Sequence, residues 1–308
     1  MISIVILTKN PGKRFGEVIH QVFNQKTEDD FEVIVIDSGT TDGSLSCLEN
    51  ISAKLIKINP SDFGHGKTRN YAANIANGKF LVFLSQDATP ANENWLNELI
   101  RPLKEDEKVA GVYSKQIPYE DASIMEKCFL SVHYPDTYQV KEKKNKKELT
   151  LKDVFFSNVS SAMRKELLLR FRFPDDLIMS EDQAWSKEVI QHGYKIVYNP
   201  KSIVYHSHNY SLIRVFQRFF DSGASLKDLD LKAGNYKESI KVIYEEIKFC
   251  LKELGLTKFL FYLPYVAAYE FMRHAGFILG QNYKRLPQNL LPYLSFHKYY
   301  WNKNRLEK

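Results

Sequence analysis

Three short apolar runs in this chain end in polar clusters: Thr8-Lys9-Asn10, Asp37-Ser38-Gly39 and Ser85-Gln86-Asp87. Each run is short and rich in β-branched or aromatic residues, so each cluster falls at the carboxyl end of a strand, where open α/β sheets bind ligands. Asp37-Ser38-Gly39-Thr40-Thr41-Asp42-Gly43 adds a second acid ahead of a helical stretch. One carboxylate there can accept hydrogen bonds from a base or ribose. Small residues before a helix N-terminus let the backbone approach a diphosphate. An ordinary turn with Asp42 as a helix cap would use the same letters. Asp87 stands where a carboxylate reaches a divalent cation, Mg2+ or Mn2+, held mainly by phosphate and water. A turn residue is the plainer reading of a lone Asp after a strand.

Asp62-Phe63-Gly64-His65-Gly66-Lys67-Thr68-Arg69-Asn70 is a glycine-rich loop entering a helix. Its Gly66-Lys67-Thr68 is not a P-loop, because Ser61 stands where that pattern needs its first glycine. The dinucleotide pattern fails as well, with Arg69 in place of its third glycine. What remains is a mobile loop whose Lys67 and Arg69 can face a diphosphate. Ser180-Glu181-Asp182-Gln183 has the letters of a capping box and puts two carboxylates in one helical turn. They either decorate a helix N-terminus or include a general base toward an alcohol. His206-Ser207-His208 follows a strand, and residues two apart on extended chain share a face. No Cys/His cluster accompanies them, so a zinc site is not expected.

The elements that must hold these groups follow from hydrophobic spacing. Ile2–Leu7, Phe31–Asp37, Lys54–Ile58, Phe80–Leu84 and Val109–Tyr113 read as strands. Gly16–Gln25, Ser44–Asn50, Thr68–Ala76 and Trp95–Leu103 between them read as helices. That alternation predicts an α/β fold with a mainly parallel sheet covered on both faces. A helix is expected over Ser123–Gln139, a return to the sheet over Asp153–Phe173 and Lys195–Tyr205, and helices from Ser239 onward. Lys141 to Lys147 is a charge run without an apolar anchor, expected as a solvated loop or a loop over an acceptor.

Composition sets the outer bounds. The 308 residues are 44% hydrophobic and 26% charged, which excludes a disordered or collagen-like chain. A net charge of +6 favours an anionic partner without naming one. Cys47, Cys128 and Cys250 are sparse and widely spaced, as expected for reduced thiols in the cytoplasm. Neither a secretory signal nor a transmembrane helix is expected. The tail from Gln281 mixes Lys and Arg with Tyr293, Phe296, Tyr299, Tyr300 and Trp301, read either as packed helices with a basic skirt or as a peripheral contact with the inner membrane.

The order of Thr8-Lys9-Asn10, Asp37–Gly43, the His65–Asn70 loop, Ser85-Gln86-Asp87, Ser180-Glu181-Asp182 and Tyr205-His206-Ser207-His208 resembles family 2 glycosyltransferases of the GT-A fold, in particular the bacterial rhamnosyltransferases. The resemblance spans about residues 1–225 and implies roles. Thr8, Asn10, Asp37, Ser38, Asp42 and Gln86 would hold the donor nucleotide, and Lys67 and Arg69 its diphosphate. Asp87 and His206 would bind the cation. Asp182 would be the general base, with Glu181 orienting it or binding acceptor. Ser85 departs from the family's usual Asp-x-Asp, and Gln217-Arg218-Phe219 only partly matches the Gln-x-x-Arg-Trp of processive members, so a non-processive enzyme is expected.

The resemblance further implies a donor-binding half over about 1–115, an acceptor half over about 116–225, and a helical region over 226–308. The implied reaction is metal-assisted and inverting. It moves L-rhamnose from dTDP-rhamnose, or a hexose from a uridine-linked donor, to a hydroxyl of a polysaccharide or lipid-linked saccharide. A nucleotidyltransferase and a non-catalytic saccharide- or membrane-binding module are the rival readings. Dispersed basic residues argue against nucleic acid.

Overall fold

The structure is a computed structural model describing residues 1–144, 147–231 and 236–306. Its strands are β1 (Ile2–Thr8), β2 (Phe31–Asp37), β3 (Ala53–Lys57), β4 (Phe80–Ser85), β5 (Thr89–Pro90), β6 (Val109–Ile117), β7 (Gln139–Lys141), β8 (Ser160–Arg164) and β9 (Lys195–Tyr205). Its helices are α1 (Phe15–Phe23), α2 (His65–Ile75), α3 (Trp95–Glu105), α4 (Ile124–His133), α5 (Leu151–Val154), α6 (Lys165–Arg170), α7 (Glu181–Gln191), α8 (Leu212–Asp228), α9 (Tyr236–Gln281), α10 (Leu291–Leu294) and α11 (Lys298–Leu306). They pack as two units. The first holds Met1–Glu120, Tyr134–Asp175 and Glu181–Ser207; the second holds Asp121–His133, Asp176–Ser180 and the chain from His208.

All the strands belong to the first unit, in the order β3-β2-β1-β4-β8-β6-β9-β5, with β7 also against β9. The β1 pairs with β2 and β4, the β2–β3 pair and the β6–β9 pair are parallel. β8 runs antiparallel between β4 and β6. Ile4, Val5 and Ile6 are wholly buried, so β1 is covered on both faces, as a central parallel strand must be. One cover is α1, whose Phe15, Val18, Ile19 and Val22 recur at helical spacing and turn inward. α7 is anchored by Trp185, which packs on Phe156 and Phe173. A Cβ at Gly111 of β6 would lie 2.9 Å from the Trp185 ring, so the missing side chain makes room for the indole.

The second unit is helical. A core of Met125, Cys128, Val215, Cys250, Phe259, Val266 and Tyr269 joins α4, α8 and α9. Gly276 and Gly280 let α9 press against α8, where added Cβ atoms would meet the Phe216 and Phe220 carbonyls at 2.3 and 2.0 Å. α9 bends at Gly255, whose φ of 73° and ψ of 161° leave the helical region.

Several expectations are corrected. The helix over Ser123–Gln139 stops at His133, and Gln139–Lys141 pairs as β7. Only Ser160–Arg164 of Asp153–Phe173 enters the sheet; α5 and α6 flank it. The charge run has an apolar anchor after all. Lys141 Nζ lies 5.1 Å from the Tyr113 and Phe155 ring centres and donates to the Phe155 carbonyl at 2.7 Å. Burial pushes its pKa down to about 7. Asn145 and Lys146 of that run, and Glu307 and Lys308 of the tail, lie outside the described residues. Cys128 and Cys250, distant in sequence, are buried free thiols in one core cluster, and Cys128 Sγ donates to the Glu246 carbonyl at 3.5 Å. Trp301 of the tail is a core residue, packed with Phe220 and Leu291.

Candidate active site

The carboxyl ends of β1, β2 and β4 are tied together by side chains. Asp37 closes its own turn, accepting from Gly39 N at 3.2 Å, Thr40 N at 3.1 Å and Thr40 Oγ1 at 2.5 Å. Thr8 Oγ1 donates to Asp37 Oδ1 at 3.4 Å, and Ser38 Oγ donates to the Thr8 carbonyl at 3.1 Å. Asn10, at a left-handed φ of 47°, accepts from Thr41 N at 2.8 Å and donates its own N–H to Thr40 Oγ1. Asp42 accepts from Gly12 N at 3.0 Å, and hydrogen bonds from Ser44 hold its pKa below the ordinary value. Gln86 clasps the Lys9 backbone, accepting from its N–H at 2.8 Å and donating to its carbonyl at 3.4 Å.

The same rim carries the pair of acids on α7. Ser85 N donates to the Val159 carbonyl. The adjacent Asn158 N donates to Asp182 Oδ2 at 3.0 Å, and Gln183 N donates to Asp182 Oδ1 at 2.8 Å. Three hydrogen bonds, Lys9–Gln86, Ser85–Val159 and Asn158–Asp182, joined through the chain neighbours Ser85-Gln86 and Asn158-Val159, therefore link Lys9 to Asp182. They bring the β1 and β4 ends and the start of α7 to one edge of the sheet. Gln183 N is thus bonded to Asp182, and Ser180 has a left-handed φ of 70° rather than the extended backbone of a capping residue.

Glu181 and Asp182 differ sharply in environment. Arg69 Nη1 donates to Glu181 Oε1 at 2.5 Å, and both side chains are about one-tenth exposed. Burial by itself would raise the Glu181 pKa, but Arg69 and His65 hold it below the ordinary value. Burial and the neighbouring Glu181 charge push Asp182 up to about 7. His65, at the start of α2, is pushed down by burial. Arg69, expected toward a diphosphate, is committed to Glu181 and lies over the Phe83 ring at 5.7 Å. Lys67 is half-exposed in the first turn of α2, 3.6 Å from Asp62. Gly66 is pressed onto the Pro174 carbonyl, which a Cβ would meet at 2.2 Å. Asn70 brackets Phe173, donating to its carbonyl at 2.8 Å and accepting from its N–H at 3.1 Å.

Asp87 Oδ1 lies 3.6 Å from His206 Nε2. His206 is buried at the end of β9, and its Nδ1 lies 2.9 Å from Gln116 Oε1. Gln116 Nε2 donates to Tyr134 Oη at 2.6 Å and Ser157 Oγ at 3.0 Å, so its oxygen faces the ring. On that hydrogen-bond assignment Nδ1 carries the proton and Nε2 presents its lone pair toward Asp87. A carboxylate oxygen and an imidazole nitrogen facing each other suit a divalent cation with further oxygen ligands from phosphate. His208, two residues on, begins the second unit, where its N–H donates to Glu126 and its ring stacks on Tyr210.

Sequence reasoning missed Asn158, Gln116 and Tyr119. Tyr119 donates to the Asp87 carbonyl at 3.2 Å, stacks on Tyr205 and lies under Arg14 at 4.0 Å. None stands in a motif; each acts through contacts 32 to 90 residues away in sequence for Tyr119 and Gln116, and 24 for Asn158.

Residues 3–171 match the family model described as glycosyl transferase family 2. This chain belongs to glycosyl transferase family 2. It is 34% identical to the O-antigen chain rhamnosyltransferase WbaN of Salmonella anatum, over 97% of this chain and 95% of that protein. The O-antigen chain rhamnosyltransferase RfbN of Salmonella typhimurium is 32% identical over 98% and 96%. Among solved structures, a mannosyltransferase of Pyrobaculum calidifontis in complex with GDP-Man and Mn2+ superposes with a TM-score of 0.55, at 16% identity over 99% of this chain and 86% of that one. Staphylococcus aureus TarS residues 1–349 give 0.52, at 18% identity over 100% and 92%. The fold is of the GT-A type, and the family 2 chain described here is a glycosyltransferase.

Proposed function

We propose that this enzyme transfers L-rhamnose from dTDP-rhamnose to a hydroxyl of a growing O-antigen or a related lipid-linked saccharide, inverting the anomeric centre. The donor and acceptor classes are supported by the two rhamnosyltransferase relatives, which align over nearly the whole chain. The observation that carries the reading is Asp182. It is a carboxylate tuned to about 7, and it shares an edge with the nucleotide-type turns of β1 and β2. A base with that affinity for protons works near neutral pH.

In the step itself Asp182 takes the proton of the acceptor hydroxyl. The oxygen's lone pair forms the bond to the anomeric carbon as the bond to the diphosphate breaks. The nucleoside diphosphate leaves with the electron pair. Asp37, Asp42, Thr8, Asn10, Ser38 and Gln86 shape the nucleotide-binding rim, and Lys67 meets the diphosphate. Arg69 and Glu181 hold α7 in place beneath Asp182. Asp87 and His206 would hold a Mg2+ or Mn2+ ion, which when bound offsets charge on the departing diphosphate. Among the described residues no helix is long and apolar enough to cross a membrane. We place the reaction at the cytoplasmic face of the membrane, where the acceptor lipid is anchored.

The test is thermal stabilisation by a panel of nucleotide sugars, with and without Mg2+ or Mn2+, followed by a transfer assay. The expected outcome is a shift largest for dTDP-rhamnose with a divalent cation. A larger shift with a uridine-linked hexose would reassign the donor, and release of pyrophosphate from a nucleoside triphosphate would reassign the reaction.

A further inference from the structure

The second unit exposes a run of large apolar side chains at the bend of α9. Just past Gly255, Leu256 is 67% exposed, Leu260 57%, Phe261 82%, Tyr262 47% and Leu263 42%. At roughly 100° per residue these five point in directions all round the helix. A stripe on one side would be a seam for one neighbouring helix. Exposure around the circumference describes a protrusion instead. Within it only Phe259 turns inward, to the core it shares with Cys128 and Cys250. Water is a poor solvent for so much contiguous apolar surface, which marks an interaction site.

The charges around the protrusion identify its partner. Lys248 and Lys252 precede it and Lys258 lies within it, all exposed, against one exposed acid, Glu253, which leaves the stretch net positive. A second copy of the chain would set one net positive stretch against another, and a protein face covers one side of a helix. A bilayer closes around a protrusion on all sides, and anionic headgroups complement the lysines. The nine residues 256–264 rise about 14 Å as helix, too short to span a hydrocarbon core of roughly 30 Å but sufficient to enter its boundary layer. Tyr262 has the amphipathic ring suited to that depth. We propose that residues 256–264 insert into the interfacial layer of an anionic lipid bilayer and fix the enzyme to the membrane surface. The assignment rests on the second unit alone and does not depend on which donor the first unit binds.

The test uses the full chain with vesicles of phosphatidylcholine alone or mixed with phosphatidylglycerol. Co-sedimentation with the anionic vesicles is expected. Phe261→Trp should show blue-shifted emission quenched by brominated lipid. Leu260→Ser/Phe261→Ser should lower the partition coefficient by about tenfold or more. Lys252→Glu/Lys258→Glu should weaken binding only where phosphatidylglycerol is present. Melting temperature and donor-induced stabilisation should stay as in the parent, because these residues touch neither core nor donor rim. Unchanged partition of the serine variant overturns the proposal. So does a dimer, seen by sedimentation without lipid, that the serine variant dissolves. Loss of donor response with lipid binding intact would count against the donor assignment and leave this one standing.

Discussion

Arg69 Nη1 and Glu181 Oε1 lie 2.5 Å apart inside the first unit, joining α2 to the first residue of α7. Asn158 Nδ2 approaches the same Glu181 oxygen at 3.5 Å. Two charges this buried are stable only as a pair, so removing one leaves the other without compensation. Arg69→Leu is expected to destabilise the protein by about 3–5 kcal/mol, and Arg69→Leu/Glu181→Leu to recover most of that loss. Urea unfolding of the single and double variants reads this out. A single variant within about 1 kcal/mol of the parent would show that the pair does not hold α7.

Asp182 accepts a proton only when ionised, and its pKa is pushed up to about 7. The rate of transfer should therefore climb as pH rises through about 7 and level off above it. Asp182→Asn should reduce transfer by about 10²–10⁴-fold while donor affinity holds. Normal transfer by that variant would remove Asp182 from the chemistry.

Glu181 raises the Asp182 pKa through its charge, and Arg69 lowers it. Glu181→Gln should thus move the rising limb of the pH–rate profile toward lower pH. With the Glu181 charge already gone, Glu181→Gln/Arg69→Met should move it back toward higher pH. The two displacements have opposite signs, so general damage to the fold cannot mimic both. A limb unmoved in both variants means that another group sets it.

Gln116 holds His206 by Nδ1 and is itself held by Tyr134 and Ser157. Outer partners of this kind set ring tautomer and ligand strength. Gln116→Leu should weaken Mn2+ binding by about 10–100-fold in calorimetry of the nucleotide-loaded enzyme, and Asp87→Ala should weaken it at least as much. Equal Mn2+ affinity in parent and both variants would take the cation away from this pair.

Much of the first unit was legible because parallel strands advertise themselves. Ile2–Leu7, Phe31–Asp37 and Lys195–Tyr205 agree with the observed strands to within a residue at either end; the first two read as largely apolar runs because they are buried on both faces, whereas Asn199-Pro200-Lys201-Ser202 interrupts the third. β8 was blurred into Asp153–Phe173 because Ser160-Ser161-Ala162-Met163-Arg164 has small and polar residues although all five are buried. Their polarity is spent on partners distant in sequence. Ser160 accepts from the Trp95 indole, and Arg164 bonds the Val109, Leu103 and Asp106 carbonyls. Strand ends and helix starts displayed Thr8, Asp37, Gln86 and Asp182 as candidates, and the fold brings the ends of β1, β2 and β4 and the start of α7 to one edge. Arg69 bonds Glu181, a partner 112 residues away that sequence spacing could not reveal, and its burial became visible only in the fold.

The contact of Gly66 with the Pro174 carbonyl, and the bracket of Asn70 around Phe173, have a consequence for remodelling this enzyme. The glycine-rich segment and the strap at 173–175 are cut to one another's outline. A chimera that borrows 62–70 from another transferase while keeping its own strap would place a foreign side chain against a fixed backbone. Exchanging donor preference by transplantation therefore demands that both stretches travel together, although about a hundred residues of chain separate them.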